Sequence, residues 1–384
     1  MAQYTTALDF GSEKITAIIG TRGTNGTINV KGLGVKNYDG FLNGEWLNPD
    51  GLAEAIEGAL LEATSVADVA IKRVYVSVPS EFCDVVCKEV GLSLNRKRKV
   101  TANDIFTLMN NGDEFDDSVE VINIQPVYYT LDNDLRLVQP EGQITTKISG
   151  FLSYITAKNS FTATVRAILN SLGISSVEFV ASPLAESLIL FDEAKRDGTA
   201  ILVDVGYLTT SVGIVKGDGL LMLKTFSLGG GFITGDLAEQ FSVSFADAEK
   251  LKRKAILTLD PQQGEEYEVD CKSGLVRFNA RDVNDVITAR ITHIATMVKK
   301  CLTLSNYKYP AHIPVSLTGG GVSYIRGAKD IFSSVLERDI EIVAPPFPGV
   351  NKPNLSSAWG LIDMAIKNDE QTAKKGFFAR IFGK

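Results

Sequence analysis

The strongest constraint on the fold is an internal echo. Residues 5–10 (TTALDF) and 15–21 are strand-like runs joined through Asp9-Phe10-Gly11-Ser12, and a third run follows at 27–38. From Thr199 the pattern returns as TAILVDVG, a turn, TTSVGIV, a turn and LLMLKTF. Asp204-Val205-Gly206 thus stands 195 residues after Asp9-Phe10-Gly11. Short runs separated by Gly-containing turns predict antiparallel meanders. A unit that recurs half a chain later predicts a duplicated α/β fold with two facing lobes. At 384 residues the chain is long enough for two cores.

Between the two units the pattern changes. Asn48 and Pro49 open a helix with Leu52, Ile56 and Leu60 on one face, and Val74, Val76 and Val78 alternate into a strand that Pro79 ends. From Ser80 to about Lys158 a strand (82–94), a helix opening near Thr101 and two strands (119–131, 144–157) predict a small inserted α+β module. The basic run Arg96–Lys99 reads as a solvated loop. Helical periodicity covers 160–172, stopped by Gly173, and a strand at 174–180 precedes a helix at 183–195. Beyond the second meander come helices at 230–241 and 244–257, a strand pair near 267–278 and a long helix from Asp282 to Leu304. Strand IPVSLT then runs into Gly319-Gly320-Gly321.

An Asp at a strand end followed by Gly lets backbone N–H groups approach a phosphate and offers a carboxylate to Mg²⁺, usually through water. One such turn is equally a plain hairpin turn, because Asp and Gly favour turns on conformational grounds. Two turns brought face to face, with a third Gly-rich turn opening a helix, make three sides of a nucleotide cleft.

The loops LDFGSEKI, VDVGYLTTS and LTGGGVSYIRG, with AEKLK at 248–252, resemble in order and spacing the nucleotide-contacting motifs of the actin, heat-shock-chaperone and sugar-kinase (RNase H-like) superfamily. Within it, the inserted module with VEVINIQPVYYTLD and the stretch FSLGGGFITGDLAEQF…FADAEKLK resemble the FtsA family of bacterial cell-division proteins. The resemblance covers nearly the whole chain. It implies a first lobe from 1–79, 159–190 and 352–366, an inserted module from 80–158, and a second lobe from 191–230 and 310–351. Residues 231–309 would form the smaller part of that second lobe, 367–373 a linker and 374–384 an amphipathic membrane-targeting helix.

Carried over residue by residue, the resemblance implies that Asp9, Gly11, Ser12 and Lys14 surround the phosphates of ATP and Mg²⁺, faced by Asp204, Gly206, Thr209 and Thr210. Asp9 and Asp204 would hold the metal, mostly through water. Glu249 and Lys252, three apart on one helical face, would hold the ribose, although a surface ion pair explains that spacing equally well. Gly319, Gly320 and Gly321 would pass under the adenosine. The chain departs from its relatives at Tyr207, Leu208 and Ser211 in the second loop. It also has Ala181-Ser182-Pro183 where relatives that hydrolyse ATP well tend to place Glu or Gln, so no catalytic base is identifiable. ATP is then expected as a structural switch rather than a substrate turned over quickly.

Composition narrows the partners. A net charge of −7 provides no basic field for nucleic acid. Four cysteines and two histidines at scattered positions make no metal-site spacing and suit a reducing compartment. No apolar run approaches ~20 residues and the N-terminus lacks leader character, so neither secretion nor a membrane span is expected.

The C-terminal stretch KKGFFARIFGK is different. As a helix, Phe377, Phe378, Ile381 and Phe382 cover about 140° with Arg380 opposite, and Lys374, Lys375, Arg380 and Lys384 add positive charge. Such a segment suits the membrane interface, the alternative being a helix packed on the body or a partner. FtsA proteins end in a helix of this kind, which implies a peripheral place on the cytoplasmic face of the cell membrane. The resemblance further implies self-polymerisation, binding of the FtsZ C-terminal peptide and contact of the inserted module with later division proteins. Arg281, Arg290 and Lys299 on the long helix are the candidate basic residues for that peptide; a solvated face is the plain alternative. A PilM-like platform of pilus machinery and, less favoured, a small-molecule kinase are the other readings.

Overall fold

The computed structural model describes residues 4–112, 115–272 and 274–382, the last ten of these through the backbone alone. Strands β1 (Thr5–Phe10), β2 (Lys14–Arg22) and β3 (Ile28–Asn37) form an antiparallel meander. A two-residue hairpin, β4 (Phe41–Leu42) and β5 (Glu45–Trp46), leads to helix α1 (Pro49–Ala67). Asn48 caps that helix by accepting from the Gly51 N–H at 3.2 Å, and Pro49 takes its first turn. Strand β6 (Arg73–Val78) follows. Gly32 and Gly34 of β3 lie so close to α1 that a Cβ there would stand 2.1 Å from Ala63 O and 2.0 Å from Ala59 O, so the helix seats directly on the sheet.

Next come β7 (Cys83–Lys99), α2 (Ala102–Asn110), β8 (Val119–Leu131), β9 (Arg136–Leu137) and β10 (Ile144–Lys158). They build an antiparallel sheet in the order β7-β10-β8-β9 with a core of its own around Leu108, Tyr129, Leu152 and Tyr154. The basic run expected in a loop instead ends β7. Arg98 there forks onto both oxygens of Asp104, at 2.7 Å each, while Asp104 closes a capping box with Thr101 at the start of α2.

The chain then passes through α3 (Asn159–Ser171), β11 (Ser176–Ala181), α4 (Ser182–Leu190) and α5 (Glu193–Asp197). The single helix expected over 183–195 is two, because Asp192 accepts from the Lys195 N–H at 2.8 Å and starts a second N-terminus. The second meander is β12 (Ala200–Val205), β13 (Thr210–Lys216) and β14 (Gly219–Phe226). It is followed by α6 (Gly230–Phe241), α7 (Phe245–Lys254), the hairpin β15 (Glu266–Cys271) and β16 (Gly274–Asn279), and α8 (Ala280–Thr303). Strand β17 (Val315–Thr318), α9 (Ala328–Leu336), β18 (Ile340–Ile342) and α10 (Ser356–Phe382) complete the order.

The duplication is visible in the sheets. The first runs β3-β2-β1-β6-β11 and the second β14-β13-β12-β17-β18. Each is an antiparallel meander extended by two parallel strands. Asp9 pairs with Thr16 and Asp204 with Ser211, the same register in both copies. The α/β fold is therefore a duplicated two-lobe one.

Helix α10 departs from expectation. Polar composition over 367–373 predicts a linker, yet the helix continues through it. Asp369 explains why: it accepts from Thr5 Oγ at 2.6 Å, from the Tyr75 hydroxyl at 2.8 Å and from Arg73 at 3.0 Å, pinning the helix to β1 and β6. Arg22 adds a 2.7 Å pair to Asp363. The side chains of the proposed membrane residues Lys374, Lys375, Phe377, Phe378, Arg380, Ile381 and Phe382, and all of Lys384, lie outside the described residues. Among the described residues no helix is long and apolar enough to cross a membrane.

Candidate functional site: a cleft between the lobes

The two Asp-x-Gly turns are closed alike. The Gly11 N–H donates to Lys14 O at 3.0 Å and the Gly206 N–H to Thr209 O at 2.9 Å. Across the cleft, the Leu208 N–H donates to Ser12 Oγ at 3.0 Å. The third turn closes on the second: the Gly321 N–H donates to Val205 O at 2.7 Å. Glycine is required there, since Gly319 holds φ +89° and its Cβ would fall 2.0 Å from Asp204 Oδ1, while one on Gly321 would fall 2.3 Å from Gly206 O.

These turns line a cavity of about 950 Å³, at the upper end of the range usual for small-molecule sites. Asp9, Gly11, Ser12, Lys14, Asp204, Gly206, Thr209, Glu249, Lys252 and Gly319–Gly321 all border it. Thr210, expected among them, does not: its hydroxyl donates to Leu228 O at 2.6 Å, because alternation along β13 turns it inward. Glu249 and Lys252 form a 2.6 Å pair, and the Lys252 ammonium also donates to Gly230 O (3.1 Å) and Thr234 Oγ (2.9 Å). Three partners use all three of its protons, so Lys252 fastens α7 to α6. Burial lowers its proton affinity despite Glu249, whereas Glu249 is held below the usual carboxylate range by Lys252 and Thr234 against the opposing effect of burial.

The cleft's floor is acidic. Asp9 accepts from Ser77 Oγ at 2.8 Å and from the hydroxyl of Ser357, and Ser357 also shares a 2.7 Å hydrogen bond with Ser182. Burial still raises the Asp9 carboxyl above its ordinary value. Asp204 is pushed up to about 7, first by burial and then by the Asp9 charge. A third carboxylate, which the sequence reading passed over, belongs to the same floor: Glu186, on α4, is 2% exposed and raised well above its ordinary value by burial, Asp204 and Asp9. The sequence marked only a helix here, and its packing shows that one of its turns opens on the cleft.

The cavity fits a phosphate ester with a cation. Ser12, Glu13, Tyr207 and Gly320 border it and their N–H groups have no acceptor among the described residues, which leaves donors available to an anion. The desolvated carboxylates facing them call for positive charge. Among the described residues no group of three or more His, Cys, Asp or Glu side chains converges as a ligand set, so any metal would lean on water or phosphate oxygens.

The basic residues of α8 are separately placed. Arg290 is forked onto Asp236 at 2.6 and 2.7 Å, Lys299 pairs with Glu337 at 2.6 Å, and Arg281 reaches Pro261 O at 3.4 Å. Arg290 thus serves first to tie α8 to α6.

Two matched sheets with a polar cleft between them make an actin-like fold. The family described as cell division protein FtsA matches over residues 201–360. The cell division protein FtsA of Enterococcus faecalis is 24% identical over 94% of this chain and 83% of its own length. That of Neisseria meningitidis serogroup B is 25% identical over 95% and 91%. Among solved structures, a chain of the PilM-PilN type IV pilus biogenesis complex superposes with TM-score 0.63 at 18% identity, covering 94% of this chain and 98% of that one. MreB5 of Spiroplasma citri bound to AMPPNP gives 0.58 at 10% identity, covering 98% and 99%. The structural likenesses speak to the fold. In sequence the chain is similar to the cell division proteins FtsA.

Proposed function

We propose that the protein binds Mg-ATP in this cleft, polymerises like actin, and tethers FtsZ to the cytoplasmic face of the cell membrane while helping to recruit later division proteins. The observation that carries the reading is the meeting of the three Gly turns around a cavity of about 950 Å³. In this reading the free N–H groups of Ser12, Glu13 and Tyr207 take the phosphates, Lys14 and Thr209 flank them, and Gly319–Gly321 underlie the adenosine. Mg²⁺, when bound, would supply the charge that Asp9 and Asp204 otherwise lack. Residues 80–158 serve as the polymer and partner module, 231–309 with Arg281, Arg290 and Lys299 receive the FtsZ peptide, and 374–384 lie in the membrane interface. Nucleic acid is not a partner.

Turnover is slow, on the order of 1 per second or less, because Tyr207 and Leu208 crowd the second loop. Co-sedimentation with anionic liposomes, with and without ATP and FtsZ, tests the whole. Sedimentation that rises with ATP and recruits FtsZ supports it. Nucleotide binding without lipid attachment would instead favour a PilM-like platform, whose fold this chain shares.

A further inference from the structure

We propose that Glu186 is the catalytic base of the cleft, holding the water that attacks the terminal phosphate of ATP and taking its proton. The proposal rests on the nucleotide reading above and adds a residue to it. Glu186 borders the cavity yet is 2% exposed, and its carboxylate meets no hydrogen-bond donor among the described residues. A buried, unpartnered carboxylate is unfavourable unless something else satisfies it. By contrast Asp9 is satisfied by Ser77 and Ser357, and Asp104 by Arg98 and Thr101.

Its position is rigid. On α4 it lies one turn past Ser182, whose hydroxyl is joined to Ser357 and so to Asp9. Helix α10 crosses α4 at Gly360, where a Cβ would stand 2.6 Å from Ala185 O and 3.0 Å from Glu186 N. A larger residue would push α4, and Glu186 with it, along the cleft. Rigid placement on a helix is what a group that orients water needs.

The step balances with ATP and water alone. The water oxygen forms a bond to the γ-phosphorus, the bridging bond to the β-phosphate oxygen breaks, its electron pair leaves with ADP, and the water proton passes to the Glu186 carboxylate. The base that sequence reasoning sought at 181–183 is then supplied one helical turn later.

Glu186→Gln keeps the shape and removes the base; Glu186→Asp keeps the acid and withdraws it by one methylene. Calorimetry with ATP and AMPPNP should show that both variants still bind nucleotide, so that release rates compare bound states. Single-turnover phosphate release should fall ~100-fold or more in the Gln variant and less in the Asp variant. As a binding readout, ADP with aluminium fluoride, which mimics the transferring phosphate with its water, should bind wild type more tightly than ADP alone. The Gln variant should lose that difference. Phosphate release unchanged in Glu186→Gln, or a retained preference for the fluoride complex, overturns the proposal. So does a wild type that binds ATP and leaves it intact over days. A wild type that binds no nucleotide at all overturns the reading of the cleft, and this proposal with it.

Discussion

Leu208 and Ser12, 196 residues apart in sequence, meet through an N–H···Oγ bond of 3.0 Å that links the Asp-x-Gly turn of one lobe to that of the other. A single hydroxyl thus reports on how closed the lobes are. Ser12 is 7% exposed, so the contact is not a surface accident. In the proposed function the same hydroxyl would also face the nucleotide, which makes lobe closure and nucleotide binding compete for, or share, one group.

Removing the second carboxylate or filling the third turn should disable binding. Asp204→Ala and Gly320→Arg are each expected to weaken Mg-ATP by at least ~10-fold in calorimetry, the first by removing charge facing the cation and the second because a Cβ at 320 already stands 3.1 Å from Asn354 Cβ. A loss of one hydrogen-bonded charge of this kind corresponds to ~1.5–3 kcal/mol. Unchanged affinity in both would remove the nucleotide from this cleft.

The nucleotide-free protein should lose stability as pH rises through the weakly acidic range. The Asp204 carboxyl, ordinarily near 3.8 in the unfolded chain, is pushed up to about 7 in the folded one, first by burial and then by Asp9. Below pH ~4 both states carry the proton and there is no effect; between ~4 and 7 only the unfolded state releases it, so the native state is penalised increasingly; above about 7 the penalty is constant. The upper bound is ~4 kcal/mol. Urea midpoints at pH 5 and 7.5 should therefore converge more closely in Asp204→Asn than in wild type; Asp104, which Arg98 holds below its usual range, is ionised in both states over this interval and adds no slope. Identical pH slopes would show that Asp204 is not desolvated.

The contact that holds α10 to the first lobe should be separable from the cleft. Asp369→Ala removes the acceptor of Thr5, Tyr75 and Arg73 and should cost about 1–3 kcal/mol locally. Amide exchange over 367–372 should quicken while ATP affinity stays within twofold, roughly, of wild type. Exchange as slow as in wild type would mean that the helix is held by something else.

For the tail, apolar burial of four side chains is at most ~6–12 kcal/mol before the entropy of ordering is subtracted, so one copy should hold lipid weakly and a filament strongly. Phe378→Glu and Phe382→Glu are expected to release the protein from anionic liposomes with ATP binding intact. Full sedimentation of both variants would move the membrane contact elsewhere.

Much of the architecture was legible because it is written in local periodicities. The strand-like runs TTALDF and TAILVDVG, the Asn48-Pro49 start of α1 and the stop at Gly173 are read from neighbouring residues, and the structure has them where expected. The repeat of Asp9-Phe10-Gly11 as Asp204-Val205-Gly206 also implied that two sheets would share one strand order, since equal sequence patterns twist and pair alike. What the tertiary structure alone decided are matters of which groups arrive from elsewhere in the chain. Thr210 faces away from the cleft because Leu228 O accepts its hydroxyl. Residues 367–373, polar enough for a linker, stay helical because Asp369 finds donors on β1 and β6, more than 290 positions away. Glu186 enters the cleft because α10 fits against α4 at Gly360. Propensity acts within a turn or two of chain, whereas burial, ion pairing and desolvation depend on neighbours that only folding brings together.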